Sequence, residues 1–183
     1  MEPNMFCYQC QETAKGTGCI LKGVCGKESH TAQAMDLLLF VVRGVSVVAD
    51  VLRKADCPVS EEVNIFVTDA LFCTITNANF DDESILKRVD KGITMRNGLI
   101  QEAKHNKVLL PKVDELTWQG TRDDYAGKAK TVGVLREQNE DLRSLKELLV
   151  YGLKGMAAYL EHAMRLGFND DTVHVFMQRA LAT

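Results

Sequence analysis

Four cysteines, Cys7, Cys10, Cys19 and Cys25, fall within the first 25 residues in the spacing C-x2-C-x8-C-x5-C. Thiolates are soft ligands, and four of them in one short stretch can surround a single metal centre. Gly16, Gly18, Gly23 and Gly26 interleave the cysteines; they let the backbone fold tightly and bring amide N–H groups close to sulfur. Lys15, Lys22 and Lys27 add positive charge nearby, which favours thiolates and an anionic cluster. Thiolate ligation with N–H groups aimed at sulfur is how an iron–sulfur cluster is held and its potential set. The pattern therefore points to electron transfer rather than to a packed structural core. Two disulfides would use the same four residues, but they belong to secreted chains. Met1–Gln9 has no basic region followed by an apolar one, so it does not read as a signal peptide. Zinc is the sharper rival, because four-cysteine structural zinc sites also begin with C-x2-C. The spacing matches neither the bacterial nor the plant-type ferredoxin run. On spacing alone both metals stand, with iron–sulfur ahead.

The elements that must position this loop read as helices. The chain has 183 residues, 46% hydrophobic and 26% charged, with net charge −3, which fits one ordinary soluble domain or two small ones. No apolar run reaches the length of a membrane span, so no membrane partner is expected. The mild acidity gives no reason to expect nucleic acid. Six cysteines without a targeting segment point to a reducing cytoplasm. Cys57 and Cys73 stand apart from the cluster, and Cys73, in the apolar run Ala70–Cys73, reads as core.

Ser29 is read as the N-cap of a long helix reaching about Lys54, and its apolar middle, Leu37–Val42, marks a buried central helix. A second helix is expected from about Val63 to Thr76. Asn77–Asp81 reads as a turn, with Asp81 or Asp82 capping a third helix whose Ile85, Val89, Ile93 and Ile100 share one face. Residues 106–138 are less regular. A fourth helix starts at Asn139 or Asp141 and stops at Gly167, and Asp170–Asp171 caps a fifth. The domain boundaries follow: 1–28 a cysteine-rich loop, 29–107 a first three-helix bundle, 108–138 an irregular connection, 139–183 a partial second bundle.

An internal repeat is visible. Asp36–Lys54 aligns with Glu147–Arg165, sharing an acid at Asp36/Glu147, apolar residues at Leu37/Leu148, Leu38/Leu149 and Phe40/Tyr151, a base at Arg43/Lys154, and Gly44/Gly155. Val63–Leu71 then aligns with Val173–Leu181. Each repeat would be a three-helix bundle, the second ending after its second helix. The helix near residues 141–166 carries apolar residues on more than one face. The chain is therefore expected to self-associate through 141–182 or to fray there.

Other chemistry is thin. His30, His105, His162 and His174 are scattered, and the helical His162 and His174 read as packed or surface residues rather than ligands. Asp81, Asp82 and Glu83 resemble paired catalytic acids, but at a helix start they read as caps. Gly44 and Gly155 within helices predict close helix crossings. No phosphate loop and no Ser/His/Asp arrangement is legible.

Taken together, Met5–Cys19, Gly23–Lys27, Leu71–Glu83, Val132–Leu135 and Asn139–Tyr159 resemble the N-terminal domain of the hybrid cluster (prismane, hydroxylamine reductase) family. The resemblance implies an all-α fold of two perpendicular three-helix bundles, the second incomplete here, with an N-terminal cysteine-rich cluster loop. It implies a [4Fe–4S] cubane on Cys7, Cys10, Cys19 and Cys25. It also implies α/β domains elsewhere in the family that carry a hybrid iron–sulfur–oxygen cluster, the site of substrate reduction. None of that cluster's ligands is expected in this chain, which is read as inactive alone. The implied partners are a redox electron donor and either those α/β domains or a second copy of the chain. The reading from a different class is a zinc-stapled helical interaction module without redox activity.

Overall fold

From Thr31 to Arg53 no residue of the first helix is exposed. That is the physical reason the fold is organised around it: a helix apolar on every face must be covered on every face. In the computed structural model, which describes residues 5–12, 16–76 and 79–183, this helix, α1, spans Ser29–Lys54. It is followed by α2 (Glu61–Ile75), α3 (Asp82–His105), the short α4 (Asp114–Thr117), α5 (Tyr125–Val132), α6 (Glu140–Arg165) and α7 (Asp171–Leu181). Two 3-10 turns, Arg122–Asp124 and Val134–Arg136, flank α5. Lys15 and the Asn77–Ala78 part of the expected turn lie outside the described residues.

The all-α class holds. α1 packs most extensively against α3 and also touches α2, α4, α5 and α7. The helices α1, α2 and α3 all meet one another, as a three-helix bundle requires. α6 and α7 touch each other only slightly; α6 lies on α2, and α7 lies on α1. In the repeat, α1 corresponds to α6 and α2 to α7, so the contacts α1–α7 and α2–α6 are equivalent under exchange of the two halves. One continuous apolar cluster runs from Ala34 to Leu181.

The local signals sit close to where the sequence places them. Asp81 caps α3 by accepting from Ser84 N at 3.1 Å, Asn139 caps α6 through Leu142 N at 3.0 Å, and Asp170 caps α7 through Thr172 N at 2.8 Å. Gly167 ends α6 with φ +84°, a left-handed turn that suits glycine. At α1 the cap position belongs to Glu28, which makes no side-chain cap bond; Ser29 is already helical. The expected close approach of helices at Gly44 is present, and the helix that approaches is the short α4. A Cβ there would stand 2.5 Å from the carbonyl oxygen of Glu115, so the chain at α4 presses on α1. A second tight helix crossing is at Gly92 of α3, where a Cβ would meet Val41 Cγ1 at 2.6 Å and Phe66 Cζ at 2.8 Å. At Gly155 nothing described lies within 4 Å.

One face of α6 is closed and the opposite face is open. Val150, Leu153, Lys154, Ala157 and Leu160 are buried. Leu145 and Leu148 are each 64% exposed and Tyr159 is 82% exposed, which agrees with apolar residues on more than one face of this helix.

Candidate metal centre

The cysteine segment has little regular structure, and its order comes from turns and from side chains that reach into the helices. Cys7 and Cys19 form an isolated antiparallel bridge, Cys7 N–H donating to Cys19 O at 2.9 Å and Cys19 N–H to Cys7 O at 3.1 Å. This brings the first and third cysteines side by side, both buried, while Cys10 and Cys25 are half-buried. Gly18 permits the bridge: its φ is +72°, and a Cβ would stand 3.2 Å from Cys7 O. Gly23 lets Cys25 approach, since a Cβ there would meet Lys27 N at 2.9 Å and Cys25 Sγ at 3.1 Å. The Val24 N–H points at Cys19 Sγ at 3.5 Å, the kind of amide–sulfur contact the glycine pattern predicts. Among the described residues, no group of three or more cysteine, histidine or carboxylate side chains converges closely enough to enclose a metal ion. The segment thus supplies four free thiols, one backbone-paired couple and an amide aimed at sulfur. The donor set suits a thiolate-bound metal.

The lysines separate sharply. Lys22 points outward to Glu28 at 2.6 Å, with over half of its side-chain surface exposed. Lys27 is buried, 2% exposed, and among the described residues its ammonium donates to the Met35 thioether at 3.1 Å. Burial pushes the Cys7 thiol up, opposed by a backbone hydrogen bond at Gln9 and then by the Lys27 charge.

Two glutamines fix the C-x2-C turn to the helices. Gln9, 4% exposed, donates from Nε2 to Asp36 Oδ1 of α1 at 2.6 Å. Lys154 of α6, also buried, donates to the main-chain oxygen of Gln9 at 3.0 Å and to Gln9 Oε1. Gln11 Nε2 donates to the Glu147 carbonyl of α6 at 2.8 Å. The turn between Cys7 and Cys10 is therefore tied to both halves of the repeat. Behind it, Asp36 and Arg43 of α1 face Glu147 of α6 in a cavity of about 270 Å³. Burial pushes the Asp36 carboxyl up to about 7, against the pull of Lys154. Burial pushes Lys154 down to about 8, against Glu147 and Asp36. Glu147 is raised by burial and drawn back by Arg43 and Lys154. The acid and base positions shared by the two repeats thus form one electrostatically coupled quartet, in which Lys154 is buried and Asp36, Arg43 and Glu147 are half-buried.

Sequence reasoning singled out the four cysteines as candidate ligands and passed over Gln9, Gln11 and the quartet. The available signal was the repeat itself, which paired Asp36 with Glu147 and Arg43 with Lys154. Cys73 is buried, as expected of a core cysteine, and accepts from Asn79 Nδ2 at 2.9 Å. Of the histidines, His162 packs edge-on to Phe72 at 5.9 Å between ring centres. His174 is buried, bonded to Asn169 Oδ1 at 2.7 Å and Thr68 Oγ1 at 3.3 Å. Among the described residues, no helix is long and apolar enough to cross a membrane.

Fold and site define an all-α domain with a cysteine-rich segment seated against two helices from different halves of a repeat. The Prismane/CO dehydrogenase family matches residues 5–183, and the chain belongs to that family. It is 55% identical over 180 residues to a hydroxylamine reductase of Bacteroides thetaiotaomicron, covering 98% of this chain and 32% of that protein. It is 49% identical over 182 residues to the hydroxylamine reductase of Porphyromonas gingivalis W83, covering 99% and 33%. A hydroxylamine reductase of Desulfitobacterium hafniense is 46% identical over 182 residues, covering 98% and 33%. The chain spans about a third of the length of these relatives.

Proposed function

We propose that this chain is the iron–sulfur electron-transfer domain of a hydroxylamine-reductase-like oxidoreductase. Cys7, Cys10, Cys19 and Cys25 hold a [4Fe–4S] cluster. The observation that carries the reading is the four-thiol segment, with Cys7 and Cys19 already paired, in a chain the family model matches from residue 5 to residue 183. When bound, the cluster supplies one-electron transfer. The chain's own residues do the rest. Gln9 and Gln11 hold the turn against α1 and α6, Val24 N–H faces sulfur, and Lys27 lends buried positive charge. Electrons arrive from a redox partner, in a reducing cytoplasm, and leave toward a hybrid iron–sulfur–oxygen cluster in the family's α/β domains. Hydroxylamine is the substrate class the relatives' names give. This chain alone is expected not to reduce it.

Iron and acid-labile sulfide analysis of anaerobically prepared protein is the test. Near-stoichiometric cubane iron and sulfide, reduced in each single Cys→Ala variant at the four positions, is the expected result. Zinc without sulfide would instead establish the zinc-stapled module. Four single variants that keep full iron and sulfide would remove these cysteines from the site.

A further inference from the structure

A buried ammonium group without an anionic partner is costly, because desolvation takes several kcal/mol that only a counter-charge or good acceptors return. Lys27 is such a group. It is 2% exposed, its ammonium meets the Met35 thioether, and among the described residues no carboxylate lies within ion-pair distance of it. A thioether sulfur is a weak acceptor. Lys154, the other buried lysine of the site, differs, since it has Gln9 as acceptor and Asp36 and Glu147 as counter-charges. Lys22 differs again, being exposed and paired with Glu28. Lys27 packs beside a ligand: Gly23 N–H donates to Lys27 O at 2.8 Å, and a Cβ on Gly23 would stand 3.0 Å from Lys27 Cβ and 3.1 Å from Cys25 Sγ. A charge held beside a cysteine at such a cost needs an anion to balance it.

Resting on the cluster reading above, we infer that Lys27 is the counter-charge of the thiolate-bound cluster and sets its reduction potential. An iron–sulfur core in four thiolates is net negative, and reduction adds one electron from the donor with no bond made or broken. A fixed positive charge in a water-poor site stabilises the more negative, reduced form. The same charge destabilises the protein when no cluster is present. Lys27 therefore acts with opposite signs on the two forms, which a purely structural lysine does not.

The test replaces Lys27 with Met, similar in length and uncharged, and uses Lys22→Met as the exposed control. Iron and sulfide are assayed first, then the cluster's midpoint potential and the thermal unfolding of cluster-free 183-residue chain. Lys27→Met is expected to lower the equilibrium constant for reduction at least tenfold, which is 59 mV for one electron, and to raise the melting temperature of the cluster-free chain. Lys22→Met is expected to change neither, and Lys27→Arg to keep the potential near the native value. A loaded Lys27→Met protein with native potential overturns the inference and leaves the cluster reading standing. A variant that binds no cluster is decided by its cluster-free form. A raised melting temperature supports the inference, because only the anion's partner has then been lost; a lowered one overturns it. Absence of iron and sulfide from the native chain overturns the cluster reading itself and this inference with it.

Discussion

Gln9→Leu removes an amide that stands between two buried charges while leaving the volume nearly unchanged. In the native chain Gln9 Nε2 donates to Asp36 Oδ1 at 2.6 Å, and Gln9 Oε1 accepts from Lys154. Each is a hydrogen bond to a charged group, of about 1.5–3 kcal/mol. Simple addition gives roughly 3–6 kcal/mol. Two effects reduce it: Lys154 keeps the main-chain oxygen of residue 9 at 3.0 Å, and the Asp36 carboxyl, already raised by burial, can take up a proton. The expected loss is about 2–4 kcal/mol, below the cost of fully orphaning a buried ion. Urea unfolding of the chain at neutral pH reads this directly. A second variant separates the network from mere packing. In a Lys154→Met background, Gln9→Leu should cost about half as much or less, because one of its two charged partners is already gone. A loss below about 1 kcal/mol, or strict additivity of the two substitutions, would refute the reasoning that Gln9 is bonded to both charges at once.

Three further outcomes are expected. The Asp36 carboxyl is raised from its ordinary 3.8 to about 7, so its contribution to stability is present below the unfolded value and is lost as pH climbs toward about 7. Asp36→Asn should therefore gain on the native chain by on the order of 2–4 kcal/mol between about pH 4 and pH 8; parallel stability profiles would refute this. Gly92→Ala should lose about 1–3 kcal/mol in urea melts, because its Cβ meets Val41 and Phe66. Gly155→Ala, facing open space inside a helix, should gain about 0.5–1 kcal/mol; equal effects at the two glycines would contradict the packing. The open apolar face of α6 should make the chain associate with rising concentration in sedimentation runs, and Leu145→Glu with Leu148→Glu should return it to monomer; a strictly monomeric native chain counts against this.

The helices were legible because their signals are local. Asp81, Asn139, Asp170 and Gly167 punctuate the chain through contacts with residues two to five positions away, and periodic apolar residues mark α1 and α3. The four cysteines were legible because their spacing is itself the signal. What escaped the sequence depends on contacts between distant segments. Gln9 reaches α1 and α6 across the fold, Gly44 faces a carbonyl of α4, and three neighbouring lysines look alike until burial divides Lys22 from Lys27. The repeat lay between these cases: its acid and base positions could be aligned, but not that three of them, Asp36, Arg43 and Glu147, would line one cavity.

The burial of α1 on every face also bears on how the chain is made. The helix leaves the ribosome as an apolar rod after residue 54, and one of its covers, α7, is complete only at residue 181. At ordinary translation speeds of 5–20 residues per second, that interval is roughly 6–25 s. Throughout it the surface that will become the core is open to wrong partners. Lys154, which pins Gln9, is also synthesised about 100 residues after α1 closes. A nascent chain therefore presents its thiols on an untethered segment beside uncovered apolar surface, and synthesis in the presence of a holdase chaperone should yield more folded chain than synthesis without one.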